Sequence, residues 1–405
     1  MLVVGRFING LCVGIASAQV PVYIAELAPP SKRGRLVGCQ QWAITWDDPG
    51  HLSLPRHAGL TGIPRWLARQ DRWEDCHHVL TLVHGKRDPN SPFVARELQE
   101  IKDMCQFERQ NGDVTFLELF KPNMIWRTHI GVFTQIWSQL TGMNVMMLYI
   151  VYVFAMAGLK GSNLLVSSSI QYVINVFLTV PALLYIDRWG RRNTLMLGSL
   201  GMMTMMFANA GLMASYGTYA GPKGVDNVPE ASWRLSGPPS KAVIACTYLF
   251  VACYAPSWGP VSWIYPPELY PLRVRGKAVA LTTSSNWIFN FALTYFVPPA
   301  FVNIQWKVYL IFGVFNAAML VHVFFAFPET AGKTLEEVED MFTDPNGIKG
   351  IGTPAWKTRK AYGKARLLER GELDSEKAAA IERELSGGSR SGSDTKIETT
   401  ATKVG

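Results

Sequence analysis

Apolar residues in this chain are gathered into long runs separated by short polar loops. Runs of about twenty residues, almost free of charge, fall at 7–25, 128–157, 165–186, 193–216, 242–265, 278–300 and 305–327. At about 1.5 Å of rise per residue each can cross roughly 30 Å of hydrocarbon as a helix. A soluble fold would need all of these helices buried in one domain. The pattern therefore predicts an all-α polytopic membrane protein. Two intervals break it. Residues 47–126 are polar, irregular over 47–63 and helical in composition over 64–126, where Arg96-Glu97-Leu98-Gln99-Glu100-Ile101 is amphipathic. Residues 345–405 are rich in Gly, Ser and Lys, which predicts a mostly disordered tail with one short helix around 374–385.

Charge orients the spans. Loops 30–36, 188–192 and 273–277 are dense in cations, while 158–163 holds only Lys160 and 217–240 only Lys223 and Arg234. The positive-inside rule puts the dense loops, and with them the basic tail from 328, in the cytosol. Charged residues make up 17% of the chain, against about 25% in soluble proteins. The net charge of +8 is thus accounted for by orientation, without nucleic acid. Arg6 and Asn9 interrupt the first run, which also lacks a small-residue cleavage site, so it does not read as a signal peptide. The six cysteines have no framework spacing, which predicts free thiols. No nucleophile–base set, metal-ligand cluster or phosphate loop is present, so the reading is not an enzyme, with no catalytic residue, no metal and no cofactor.

One motif occurs twice. Tyr23-Ile-Ala-Glu26-Leu27-Ala-Pro29-Pro-Ser-Lys-Arg33-Gly34 returns as Tyr265-Pro-Pro-Glu268-Leu269-Tyr-Pro271-Leu-Arg-Val-Arg275-Gly276, each time closing an apolar run. A repeated helix-plus-basic-loop unit in a membrane chain predicts a carrier built from two related halves. Counted outward from the second copy, the runs make a complete six-helix half at 127–327. Counted from the first, residues 1–46 hold one helix and a stub, a remnant of the other half. By that count the chain alone is expected to transport little.

Polar groups inside spans are costly and point to function. Gln135 and Gln139 lie on one helical face, as do Asn286 and Asn290; Asn175 is mid-span, and Trp263 follows Gly259-Pro260, expected to break its helix. Asn144 falls on the far side from Gln139 unless Gly142 interrupts the helix. Amides that donate and accept, with an indole face, suit a neutral polyol. Three acid–cation pairs at helix ends are expected: Glu26 with Arg33, Asp187 with Arg191 and Glu268 with Arg275.

Gly5-Arg6, Pro64-Arg65-Trp66-Leu67, Gln139-Leu-Thr-Gly142-Met-Asn144, Asp187-Arg188-Trp-Gly190-Arg191-Arg192, Gly259-Pro260-Val-Ser-Trp263 and Pro328-Glu329-Thr330-Ala-Gly332 join the doubled motif. Together they resemble the sugar porter family of the major facilitator superfamily, with a wording close to fungal hexose carriers. The resemblance implies a major-facilitator fold and alternating-access transport of a monosaccharide at the plasma membrane. It also implies the lipid bilayer and a co-transported proton as partners. It implies sugar contacts at Gln41, Gln139, Asn144, Asn175, Trp263 and Asn290, and a gating aromatic at Tyr149. A cytoplasmic charge network would comprise Arg6, Glu26, Arg33, Asp187, Arg191, Glu268, Arg275 and Glu329. Ser138 and Ala255 depart from residues common in relatives, so the sugar is not fixed, and quinate, inositol or another polyol stays open. A sensor that binds sugar without transporting it is the second functional class. Leu60-Thr-Gly-Ile63 replaces the expected Pro-Glu-Ser, and 47–63 reads as out-of-frame or intron-derived sequence.

Overall fold

The computed structural model describes residues 10–22, 67–83 and 115–343 apart from a few positions in each, with isolated positions between 94 and 106. The first copy of the repeated motif, the interval 47–63 and the tail 345–405 lie outside the described residues.

After a short apolar helix, Val13–Val22, the described elements begin with α1 (Trp73–Val83). A 3-10 turn (Phe116–Phe120) leads into α2 (Ile125–Leu140), α3 (Met143–Leu148) and α4 (Ile150–Met156). Then come α5 (Gly161–Trp189), α6 (Arg191–Tyr216), strands β1 (Thr218–Tyr219) and β2 (Trp233–Arg234), and α7 (Pro238–Tyr254). The series ends with α8 (Trp258–Leu269), α9 (Leu272–Asn303), α10 (Lys307–Ala326) and α11 (Leu335–Thr343). Four apolar helical stretches, Gly161–Ala182, Arg191–Tyr216, Pro238–Leu269 and Lys307–Ala326, are long enough to cross a membrane, and the bent α2–α4 unit makes a fifth. α9 is the longest of the described helices but carries Thr282, Thr283, Ser284, Ser285, Asn286 and Asn290, so it is not among the five. It packs instead along α2, while α6 packs along α10 and α7.

Two of the apolar runs are broken helices. The run 128–157 stops at Thr141 and Gly142, restarts, and turns through 65° at Tyr149. Gly142 has φ +88°, a conformation that suits glycine, and an added Cβ would lie 3.0 Å from Phe312 and 3.1 Å from Met206. The run 242–265 is interrupted at 255–257, before Gly259-Pro260 rather than at them. Pro260 falls in the first turn of α8, where no backbone N–H is needed, so it starts a helix there and breaks nothing.

A continuous apolar core runs from α2 to α10 and includes Phe154, Met202, Phe250, Trp258, Tyr265 and Phe312. The 217–240 loop folds over one end of it. Leu235 N–H donates to the Met156 carbonyl at 2.9 Å, Ser232 Oγ to Phe301 O at 2.7 Å and Trp233 Nε1 to Met213 O at 2.8 Å. A separate cluster joins Leu67, Ala68, Cys76, Val79 and Leu80 to Val94, Ile101 and Cys105. Val94, Leu98, Ile101 and Cys105 recur at helical spacing, as the amphipathic pattern predicts. Cys76, Cys105, Cys246 and Cys253 are free thiols, and burial pushes that of Cys76 up to about 11.

Candidate sugar site and charge cluster

The break at Gly142 shapes a polar site. An interrupted helix leaves carbonyls without intrahelical partners. That of Thr141 is taken by Asn316 Nδ2 of α10 at 3.0 Å, and that of Met146 by the buried Gln171 of α5 at 3.3 Å. Thr141 Oγ1 accepts from the Met143 N–H at 3.2 Å and opens α3. With the helix restarted in this way, Asn144 comes round to the face that carries Gln139.

Five amides then form one network. Gln139 Nε2 donates to Asn286 Oδ1 at 2.8 Å, Asn286 Nδ2 to Gln135 Oε1 at 2.7 Å, and Gln135 Nε2 to the Ser262 carbonyl at 3.0 Å. Gln139 Oε1 accepts from Asn144 Nδ2 and, at 3.3 Å, from Asn290 Nδ2. Gln135, Gln139 and Asn286 are buried; Asn144 and Asn290 are half-buried. The buried members fix the network, and the half-buried ones present polar groups at its edge. Trp263 is next to Ser262, half-buried and outside the apolar core, whereas Trp258 one turn earlier is fully buried and donates to Ser199 Oγ at 2.9 Å. Core packing therefore accounts for Trp258 and not for Trp263.

Of the expected sugar contacts, Gln139, Asn144 and Asn290 are joined by hydrogen bonds. Trp263 flanks them through Ser262. Asn175 on α5 is buried, and its own carbonyl accepts from Thr179 Oγ1 at 2.7 Å; among the described residues no hydrogen bond ties its side chain to the network. Gln41 lies outside the described residues. Gln135 and Asn286, which the resemblance does not single out, complete the network, and their i,i+4 spacing from Gln139 and Asn290 is the signal that finds them. Tyr149 sits at the 65° bend, donates to the Thr294 carbonyl of α9 at 3.3 Å and stacks on Tyr152 with centroids 5.8 Å apart.

A second cluster is ionic. Gly190 has φ +86° and ψ 156°, which lets the chain turn directly from α5 into α6. The first backbone N–H groups of α6 then meet Glu329: Arg191 N donates at 2.8 Å and Arg192 N at 3.2 Å, with Ala331 N adding a bond at 3.0 Å. A carboxylate at a helix N-terminus answers both the unpaired donors and the helix dipole. The Arg191 side chain, 3% exposed, clamps Glu268 through Nη2 at 2.7 Å and Nε at 3.1 Å. It also donates to Asp187 Oδ1 at 3.0 Å, and Thr330 Oγ1 donates to Glu268 Oε2 at 2.6 Å.

The expected Asp187–Arg191 pair is thus present, but Glu268 pairs with Arg191 and not with Arg275. Arg275 donates through Nε and Nη2 to the Tyr270 carbonyl at 3.2 and 3.0 Å, satisfying an acceptor left open where α8 ends. Tyr265 of the motif donates to the Pro328 carbonyl at 2.7 Å and stacks on Phe327, holding the Glu329 segment against α8. Arg6, Glu26 and Arg33 lie outside the described residues.

A family profile described as "Sugar (and other) transporter" matches residues 1–47 and 62–342. The chain is 42% identical to the "MFS glucose transporter mfs1" of Aspergillus flavus over 407 aligned positions, covering 91% of this chain and 75% of the relative. It is 40% identical to the "High-affinity glucose transporter" of Kluyveromyces lactis, covering 88% and 69%. Among solved structures, the proton:xylose symporter XylE bound to 6-bromo-6-deoxy-D-glucose aligns with a TM-score of 0.67 at 28% identity, over 84% of this chain and 74% of that one. The inward-open form of XylE from E. coli aligns with a TM-score of 0.52 at 26% identity, over 83% and 72%.

Proposed function

We propose, since this chain belongs to the sugar transporter family of the major facilitator superfamily, that it binds a hexose at the amide network and takes part in its alternating-access transport. The observation that carries this reading is the network itself: five neutral amides on α2, α3 and α9, with the break at Gly142 between α2 and α3 and an indole beside them. Such a set offers donors and acceptors to hydroxyls without a buried charge to attract an ionic substrate. Glucose is the first candidate, from the names of the fungal relatives, and a proton is the candidate co-substrate, from the symporter. Gln139, Asn144, Asn175, Trp263 and Asn290 act as sugar contacts together with Gln135 and Asn286, and Gln41 contributes from the other half. Tyr149 closes over the site from the side opposite the cytosol.

The domain reading that goes with this has 127–327 as the C-terminal six-helix half and 1–46 as part of the N-terminal half. Residues 47–126 are then a cytosolic linker, aberrant over 47–63 and helical over 64–126, and 328–405 a cytosolic tail of a plasma-membrane protein. The Arg191 cluster acts as a latch. It holds the cytosolic ends of α5, α6 and α8 to the Glu329 segment, with Arg6, Glu26 and Arg33 as its counterparts in the other half, and must loosen for the site to open inward.

The test is glucose binding to the purified chain, read as a thermal shift, beside glucose uptake in a yeast strain lacking hexose carriers. Binding that disappears in Gln139→Ala supports the site; binding unchanged in that variant sinks it. Uptake above the empty vector supports transport. Binding with no uptake favours the sugar-sensor alternative.

A further inference from the structure

The 3-10 turn Phe116–Phe120 has an apolar surface that no transmembrane span explains. Phe116, Leu117 and Phe120 are 51%, 74% and 55% exposed, yet they precede α2, separated from it by the exposed Lys121, Pro122 and Asn123. Exposed apolar residues on α5 and α10 lie along helices long and apolar enough to cross a membrane; these lie ahead of one. The turn is also held firmly. Leu119 is fully buried, its carbonyl accepts from Thr128 Oγ1 at 2.8 Å, and Glu118 is ion-paired with Arg273 at 2.5 Å and with Lys121 at 3.7 Å. Lys277 Nζ stands 5.6 Å from the centre of the Phe116 ring. Among the described residues, Lys121, Arg273, Lys277 and the Glu118 carboxylate therefore lie around three exposed apolar side chains, just ahead of α2 and at the first turns of α9.

We propose that this turn is an interfacial binding site for an anionic phospholipid of the cytosolic leaflet. Phe116, Leu117 and Phe120 enter the acyl boundary, and Lys121, Arg273 and Lys277 hold the phosphate headgroup. Rigid apolar groups beside lysines and an arginine are the pattern of an interfacial anchor. Because the turn is already ordered, no folding cost opposes binding. The main rival occupant is the chain's own tail. Its stretch Lys357-Thr-Arg359-Lys360 with Lys364 and Arg366 is itself cationic, so like charge disfavours it where an anionic lipid is attracted. The proposal rests on the orientation proposed above and not on the sugar site.

The experiment is native mass spectrometry of the purified full chain with phosphatidylserine or phosphatidylcholine. Phosphatidylserine is expected to be retained in preference, and affinity to fall about five-fold for each cation removed in Lys121→Gln and in Lys121→Gln/Lys277→Gln. Leu117→Ser/Phe120→Ser should also lose the lipid, although its net charge is unchanged. Glycerophosphoserine, the headgroup without acyl chains, should fail to compete. Equal retention of the two lipids, or undiminished phosphatidylserine binding in the lysine variants, overturns the proposal. So does competition by the soluble headgroup, which makes the site one for a free phosphodiester. Stronger lipid binding on deleting 345–405 also overturns it, because the tail then occupies the turn. Melting curves unchanged from the parent chain show that the variants fold, and keep failure here separate from failure of the sugar reading.

Discussion

The amide network and the Arg191 cluster are both buried polar assemblies between helices, yet they are bonded in different ways. In the amide network every member is neutral and each bond joins two groups that could equally bond a hydroxyl. Such interhelical bonds contribute roughly 0.6 kcal/mol each, so exchanging one for a sugar contact costs little. In the Arg191 cluster a 3% exposed guanidinium meets Glu268 through two nitrogens and Asp187 through one of them, while Glu329 binds three backbone N–H groups. No neutral ligand can replace those partners. One region is built to exchange partners, the other to hold until something larger moves.

The comparison breaks most visibly at Glu268. Glu268→Ala leaves Arg191 buried with part of its charge uncompensated, which costs about 3–5 kcal/mol. The melting temperature in detergent should fall further than for Glu329→Gln, Gly142→Ala or Asn290→Ala. If it falls no further than for a surface change, the cluster is not the rigid element described. Glu329→Gln is the milder version. It keeps the shape but loses the charge that binds the Arg191, Arg192 and Ala331 N–H groups, for about 1.5–3 kcal/mol by the same measurement. In both variants, glucose affinity measured well below the melting temperature should change little.

How much of this contrast the sequence discloses depends on the distance between partners. The apolar runs locate the helical stretches but not their breaks at 141–142, 149 and 255–257, and the i,i+4 spacing of Gln135–Gln139 and Asn286–Asn290 gives the two amide faces. That the faces meet is not in either helix, because the bonded residues are 147 and 151 positions apart. Proximity along the chain matches Glu268 to Arg275, but its partner is Arg191, 77 positions away. The helix ends decide this: Arg275 is occupied by the Tyr270 carbonyl at the end of its own motif. The same blindness covers His129 and His322, whose Nε2 atoms are 3.0 Å apart, with Trp137 Nε1 donating to His322 Nδ1 at 2.7 Å. Nothing local to α2 or α10 announces that bridge.

Gly142 links the two kinds of information and gives a sharper test. The sequence poses the question of which side Asn144 faces, and the positive φ answers it. Gly142→Ala forces an L residue into that conformation, for about 1–2 kcal/mol, and crowds Phe312 and Met206. The loss of stability should be smaller than for Glu268→Ala. The loss of glucose affinity should be larger, because Asn144 no longer reaches Gln139. A variant that melts lower but binds glucose normally would mean that the break serves packing alone.

The smallest effect on stability separates the regions most cleanly. Asn290 is half-buried and contributes one bond, at 3.3 Å, to an oxygen that already accepts from Asn144. Its removal leaves no buried group without a partner, so Asn290→Ala should cost no more than about 0.6 kcal/mol in melting experiments. A hydrogen bond to sugar lost at the same position is worth about 1–1.5 kcal/mol, or roughly ten-fold in dissociation constant. The expected signature is therefore an unchanged melting curve with weakened glucose binding, the reverse of Glu268→Ala. If stability and affinity fall together at Asn290, the amide network is structural in the same sense as the ionic one. The sugar site would then have to be sought around Trp263 and Asn175 instead.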